Sequence, residues 1–307
     1  MSRARILVIG SVNMDVVARV DHMPAPGENV RGSDLAMVPG GKGANQAVAC
    51  ARLGAQTTLL GRVGDDAFGG RLRKTLADAG VRTDALATVK DCPSGVALIL
   101  VDAKGENSIA VVAGANGRLG PPDVEAARDL LAEADAVILQ LEIPPETVAR
   151  AIRLARQVKT PVIMDAGPPR RPTDTAVFEA TILTPNEAEA ASLLGLEPGQ
   201  TTAEAMAREL LARGPEAVVI KAGSKGALVA RDNRLEWVPA FPITPVDTTA
   251  AGDAFTAALA IEHVKGADLV EATRVANAAG ALACTRPGAQ PSMPTAKEVA
   301  DFLDRHP

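Results

Sequence analysis

The chain has 307 residues, 47% hydrophobic and 22% charged, with 32 Lys plus Arg against 37 Asp plus Glu for a net charge of −5. At about 150 residues per domain there is room for two domains or one large α/β unit, and no global basic field exists to draw in a nucleic acid backbone. Aromatics at 2%, with a single Trp237 and no tyrosine, leave no ring platform for single strands or long glycans, and no apolar run approaches the ~18 residues that would span a membrane.

In chain order, Met1-Ser-Arg-Ala-Arg leads straight into a strand over Arg5–Gly10. The stretch from Val16 to Val38 holds strand-like pieces around a Pro24-Ala-Pro-Gly27 turn and no convincing helix. A helix over Ala44–Leu53, closed by Gly54 as C-cap, precedes a strand over Thr57–Val63. Ser94 to Ala113 reads as two strands, Gly95–Val101 and Asn107–Val112, joined by the hairpin turn Asp102-Ala-Lys-Gly105. A helix over Pro122–Glu133 follows, then strands at Ala136–Leu141, Pro161–Asp165, Thr181–Thr184, Ala217–Lys221 and Ala227–Ala230.

Runs such as Val137-Ile-Leu are apolar at consecutive positions, as a strand covered on both faces requires. Strand–helix alternation on this scale predicts an α/β fold, a mostly parallel central sheet with helices on both sides. The segments 16–38 and 94–113 break the alternation and predict a small separate β-sheet that projects as a lid. Its apolar face would need a ligand or a second subunit for cover. Without repeats or low-complexity linkers, 1–307 reads as a single α/β domain carrying that lid.

The cysteines, Cys50, Cys92 and Cys284, are odd in number and far apart, so they form neither a disulfide framework nor a zinc knuckle. His22, His263 and His306 are equally scattered, unlike the His-rich sets of many hydrolytic metal sites. The basic run Arg71-Leu-Arg-Lys74 fits an exposed helix face. A cytoplasmic protein holding a small ligand through carboxylates, amides and backbone groups is the expectation.

Two clusters carry chemistry. Pro39-Gly-Gly-Lys-Gly-Ala-Asn45 places three glycines within four residues ahead of a helix, which permits close backbone approach. It lacks the spacing of a Walker A loop or of G-x-G-x-x-G, and taken alone a glycine turn before a helix reads first as structural. Asn13-Met-Asp15 follows the first strand, at the edge where open α/β sheets place ligands. Asp15 and Asn45 could grip sugar hydroxyls, or simply cap local structure. The second cluster, Asp247-Thr-Thr-Ala-Ala-Gly-Asp253, sets small residues and an acid before a helix whose free N–H groups and dipole favour an anion. N–H donors for charge on a transferred group, beside a base for an attacking hydroxyl, are the parts of a phosphoryl-transfer site.

Gly40-Gly-Lys-Gly-Ala-Asn45 and Asp247-Thr-Thr-Ala-Ala-Gly-Asp253 resemble the two signatures of the ribokinase/PfkB carbohydrate kinase family. Gly61-Arg-Val-Gly-Asp-Asp-Ala-Phe-Gly69, Thr184-Pro-Asn-Glu-Ala-Glu189, Lys221-Ala-Gly-Ser-Lys-Gly226 and Thr285-Arg-Pro-Gly-Ala-Gln-Pro-Ser292 are similar as well, in the family's order from Gly10 to Pro294. With Asn13-Met-Asp15 and Gln140-Leu-Glu142, the pattern is most similar to the ribose-phosphorylating members. The resemblance implies a three-layer αβα sandwich and ATP-dependent phosphorylation of D-ribose at its primary hydroxyl. It makes Asp253 the general base, with Ala250, Ala251 and Gly252 as the anion hole. Asn13, Asp15, Gly41, Lys42, Gly43, Ala44, Asn45, Glu142 and Asp253 would hold the sugar.

The same resemblance assigns ATP contacts to Asn186, Lys221, Ala222, Gly223, Ser224, Lys225, Gly226, Gly252 and Asn277. It links Glu189 to Mg2+ and its water shell, although Glu187 and Glu189 read locally as solvated helix-start acids. A K+ site is implied at Asp247, Thr249, Ala283, Arg286, Gly288 and Ser292, several through carbonyls alone. Such kinases generally pair as homodimers through their lid sheets. Lys221 stands where threonine is common among bacterial members, and would touch a phosphate or change nucleotide preference. The competing readings are a kinase for deoxyribose, fructose or a nucleoside, and a catalytically silent sugar or nucleotide sensor.

Overall fold

The computed structural model describes residues 3–171 and 174–306. The chain begins with β1 (Arg5–Ile9), β2 (Asn13–Val20), β3 (Gly32–Gly40), α1 (Lys42–Arg52), β4 (Gln56–Gly64), α2 (Ala67–Asp78) and β5 (Leu86–Val89). Next come β6 (Gly95–Val101), β7 (Asn107–Val112), α3 (Pro121–Ala126), α4 (Arg128–Glu133), β8 (Ala136–Leu139), α5 (Pro145–Gln157), β9 (Val162–Met164) and β10 (Ile182–Leu183). The rest comprises α6 (Glu187–Leu194), α7 (Ala203–Ala212), β11 (Ala217–Lys221), β12 (Ala227–Arg231), β13 (Arg234–Val238), α8 (Ala251–Val264), α9 (Leu269–Cys284) and α10 (Ala296–Arg305).

Nine strands form the main sheet in the order β13-β12-β11-β10-β9-β8-β1-β4-β5. It is parallel from β11 through β5, and the hairpins β11–β12 and β12–β13 add an antiparallel edge. Alternate residues of each central strand enter different cores. Ile6 and Val8 of β1 pack under α1, α2, α8, α9 and α10, while Leu7 and Ile9 pack under α3 to α7. Each such side chain contributes about 1.5–3 kcal/mol on leaving water, so the strand ends are held firmly enough to carry a site.

The second sheet has the order β3-β2-β6-β7. β6 and β7 have the bounds expected from sequence, but β2 begins at Asn13 rather than near Val16, which puts Asn13 and Asp15 on the lid sheet itself. Asp15, Val38, Ala97 and Val111 stand side by side across the four strands and share one face. Val16, Met37 and Leu98 share the other.

Three local differences from the sequence reading have plain causes. The helix expected over 122–133 is two, α3 and α4, because Ala127 (φ −93°, ψ 14°) leaves helical geometry. The bend keeps both Val124 and Leu131 in the core. Helix α1 begins at Lys42, two residues early, and ends at Arg52 with Leu53 rather than Gly54 as its C-cap, after which Gly54 at φ +91° turns the chain away. The edge strands β5 and β13 leave no clear mark in the sequence, since most of their residues are exposed and carry little apolar alternation.

Candidate active site

The site lies where the parallel strands end. Turns after β1, β8, β9, β10 and β11 meet the first residues of α1 and α8 around a cavity of about 1410 Å³ under the lid sheet. Its wall includes Asn13, Asp15, Gly41, Lys42, Asn45 and Glu142 at one end, and Asn186, Glu189, Lys221, Gly223, Ser224, Gly226 and Asn277 at the other. Thr249, Ala250, Ala251, Gly252 and Asp253 lie along the same wall.

At the first end, Gly41 adopts φ +88°, and a Cβ there would lie 2.8 Å from the Asn13 nitrogen. The Glu142 carboxylate accepts from Ser11 Oγ (2.5 Å) and from the Lys42 backbone N–H (3.0 Å), which ties the start of α1 to the end of β8. Asn13 Oδ1 accepts from Asn116 Nδ2 at 2.7 Å. Burial, reinforced by the Glu142 and Asp253 charges, pushes the Asp15 carboxyl up to about 7. Hydroxyl groups entering here would meet carboxyl and amide oxygens able to accept their hydrogen bonds. Gly43 and Ala44 do not reach the wall; they are buried behind it, packed on β1.

Asp253 sits in the first turn of α8, almost fully buried. Its Oδ2 accepts from Asn45 Nδ2 at 3.0 Å and its Oδ1 from Gln46 Nε2 at 3.0 Å. Burial raises its pKa above the ordinary carboxylate range; Lys42 opposes the rise and the charge of Asp165 adds to it. Ala250 holds φ +60°, an uncommon left-handed alanine that costs about 1–2 kcal/mol and turns the chain sharply into α8. Among the described residues the N–H groups of Ala250 and Gly252 have no acceptor, while that of Ala251 makes a 3.3 Å bond to the Thr248 carbonyl. Free donors at a helix start, beside a buried carboxylate, suit an incoming anion.

At the second end, Asn186 caps α6. Its Oδ1 accepts from the Glu189 N–H (2.8 Å) and its own N–H donates to Glu189 Oε2 (2.7 Å). Glu189 is thus a helix-start acid, but only 3% exposed rather than solvated. Its Oε1 takes no hydrogen bond among the described residues and is the oxygen suited to ordering a metal's water shell. Glu187 is exposed and lies 4.0 Å from Lys225 Nζ. The turn after β11 places Gly226 at φ +100°, where a Cβ would collide with the Val238 carbonyl. Ala222 is buried and Lys225 points to solvent, so neither lines the cavity. Asn277 Nδ2 donates to the Val238 and Pro239 carbonyls at 3.1 Å each.

Beside α8, Asp247 binds two distant loop pieces together. Its Oδ1 accepts from the Thr249 N–H (2.9 Å) and its Oδ2 from the Gly288 N–H (2.8 Å). Ala283 closes a turn to Arg286, and Ser292 Oγ donates to the Ala289 carbonyl at 2.8 Å. Of this group only Thr249 borders the cavity. Asp247 is the one carboxylate of this group, the kind of oxygen donor a hard monovalent cation takes.

Several residues outside the motifs shape the site, in the wall or behind it. Phe241, Pro242 and Ile243 form an apolar wall near Asn277. Gln46 bridges two carboxylates, and Asp165 stands directly after β9 between two lysines. A carboxylate at the carboxyl end of a parallel strand is the signal that would have marked Asp165.

This is the site of a sugar kinase fold: residues 3–296 match the pfkB family of carbohydrate kinases, and the chain belongs to that family. It is 42% identical over 298 residues to the ribokinase of Bacillus subtilis, covering 97% of this chain and 99% of that one. It is 35% identical over 302 residues to the deoxyribokinase of Salmonella typhi, covering 97% and 98%. The structure of Arabidopsis thaliana ribokinase complexed with ribose and ATP superposes with a TM-score of 0.90 at 33% identity, covering 98% of this chain and 99% of that one. Among the described residues no helix is long and apolar enough to cross a membrane.

Proposed function

We propose that the protein phosphorylates D-ribose at its primary hydroxyl with ATP, giving D-ribose 5-phosphate and ADP. The observation that carries this reading is Asp253: a buried carboxylate of raised proton affinity, beside free N–H donors, where the two ends of one cavity meet. Asn13, Asp15, Gly41, Lys42, Asn45 and Glu142 line the sugar end, with Gly43 and Ala44 packing α1 behind them. Asp253 takes the hydroxyl proton as the sugar oxygen attacks the γ-phosphorus, and the N–H groups of 250–252 receive the charge that develops on the transferred oxygens. Asn186, Lys221, Gly223, Ser224, Gly226 and Asn277 border the nucleotide end, with Ala222 and Lys225 outside the wall. Bound Mg2+ would neutralise phosphate charge, with Glu189 ordering its water. A K+ held by the Asp247 loop would fix the backbone leading into α8.

ADP release from MgATP with ribose, deoxyribose, fructose and adenosine, with and without K+, tests this reading. Ribose should be turned over fastest, and K+ should raise the rate. Preference for deoxyribose, as the 35% identity to a deoxyribokinase makes the next reading, would keep Asp253 as base and move the error to the sugar end of the wall. No turnover from folded protein would put the sensor reading first.

We also infer a homodimer joined through the lid sheets. On the face of the lid sheet turned away from the cavity, Leu35, Met37, Leu98 and Val112 are each at least 43% exposed, an apolar surface that one subunit alone leaves wet. A twofold pairing of lids would cover it. Sedimentation at micromolar concentration should give the dimer mass, and a monomer alone would sink this assignment.

A further inference from the structure

Asp165 has no exposed surface, and none of the roles assigned above falls to it. Its Oδ1 accepts from Lys221 Nζ at 2.8 Å; its Oδ2 accepts from Lys42 Nζ at 3.1 Å and Gln46 Nε2 at 2.8 Å. Burying a lone carboxylate is prohibitive, so the fold supplies these partners. Burial would push its pKa up, but the Lys221 and Lys42 ammonium groups overcome that and keep it below the ordinary range. Lys42 likewise stays charged: burial works against it, and Asp165, Asp253, Glu189 and Glu142 outweigh burial.

The two lysines point at different parts of the reaction. A Cβ built on Gly252 would lie 3.6 Å from Lys221 Nζ, so that ammonium faces the start of α8 and its free N–H groups. Lys42 Nζ lies 3.7 Å from Asp253 Oδ1, close enough to attract it but longer than its bond to Asp165. Gln46 Nε2 spans Asp165 Oδ2 and Asp253 Oδ1, and its Oε1 is fixed by Gln140 Nε2 at 2.5 Å. Removing the Asp165 charge would leave two cations facing each other, with Asp253 as the nearest carboxylate for Lys42.

We propose that Asp165 is a positioning residue for phosphoryl transfer: it holds Lys221 at the anion hole to meet the transferred phosphoryl oxygens, and it keeps Lys42 from closing onto Asp253. The inference rests on the sugar-kinase reading of the same site. In the step itself the sugar oxygen–phosphorus bond forms, the bond to the ADP oxygen breaks, and the hydroxyl proton goes to Asp253. Asp165 exchanges nothing and acts only through the lysines.

The test compares the full-length parent with Asp165→Asn, Lys221→Met and the double variant. ADP release from MgATP is read with ribose, or with whichever sugar of the panel the parent prefers. Each single change should lower kcat about a hundredfold while the sugar KM moves less than about threefold. The double variant should fall no further than the worse single, because the two residues act as one unit. Thermal melting by circular dichroism checks folding. If Asp165→Asn does not fold, Lys221→Met decides, and a kcat close to the parent's overturns the proposal. A parent-like kcat in Asp165→Asn overturns it too. So do losses that multiply in the double variant, or a sugar KM that rises as much as kcat falls, the mark of a merely loosened structure. A parent that turns over no sugar at all overturns the sugar-kinase reading first and this proposal with it, so the two failures are distinguishable.

Discussion

Asp253→Asn is expected to lower kcat by about 10²–10⁴-fold while the sugar still binds and the protein stays folded. Asparagine has the shape of aspartate but cannot take the hydroxyl proton. The neighbours can accommodate it: Asp253 now accepts from Asn45 Nδ2 and Gln46 Nε2, and Asn45 Oδ1 is buried without a partner. Rotating the Asn45 amide by half a turn would offer that oxygen to the NH2 group of the introduced asparagine, so each amide keeps a bond. The sign of the stability effect follows from the raised pKa of Asp253, due first to burial. A carboxyl whose folded pKa lies above its unfolded value contributes stability that is complete below the unfolded pKa and lost as pH rises through the folded one. At neutral pH the ionised Asp253 is therefore a cost, and its removal should leave Tm unchanged or raised.

The same shift sets the pH profile. Asp253 must be ionised to act as base, so kcat/KM of the parent should fall as pH drops through the raised values of Asp253 and of Asp15, which lies at about 7. In Asp253→Asn only the Asp15 component should remain. Initial rates across pH, with ribose affinity by calorimetry, check both points. A variant that keeps most of the parental kcat would remove Asp253 from the base role.

How far the sequence discloses this site depends on where each residue's information lies. Gly95–Val101 and Asn107–Val112 are readable to the residue because a hairpin turn and two apolar runs are local signals. Asp253 and Lys42 are readable because small residues before a helix start, and glycines that admit close backbone approach, leave compact motifs. Asp165 and Gln46 carry no such mark. Asp165 meets Lys42 and Lys221, 123 and 56 positions away, and its importance arises only when the ends of β9 and β11, on either side of β10, come together with the start of α1. The apolar wall at Phe241–Ile243 is hidden for the same reason: it is ordinary loop sequence until α9 packs against it. Glu189 shows the converse, since its capping box with Asn186 is local but its 3% exposure is a property of the assembled fold.

The Gly40–Asn45 cluster itself yields the second large effect. Gly43→Ala should lower kcat/KM about a hundredfold, as expected for catalytic groups displaced by around 1 Å, and lower stability by about 1–3 kcal/mol. A Cβ on Gly43 would lie 2.6 Å from both the Gly10 carbonyl carbon and the Ser11 nitrogen, backbone atoms that cannot rotate aside. Helix α1 rests on the end of β1 there, through Ala44 N–H to the Ser11 carbonyl (2.9 Å) and Gly43 N–H to Ser11 Oγ (3.3 Å). Pushing the helix off that strand would move Lys42, Asn45 and Gln46 together, and these three reach Glu142, Asp165 and Asp253. The better helix propensity of alanine, worth about 1 kcal/mol, works against the loss without reversing it. Gly70→Ala in α2 is the control. It meets nothing within 4 Å, so it should gain that propensity and keep full activity. Melting curves and initial rates for the pair separate the two effects. Parent-like activity in Gly43→Ala would mean that the contact between α1 and β1 yields, and that the position of Lys42 is set instead by Glu142 and Asp165.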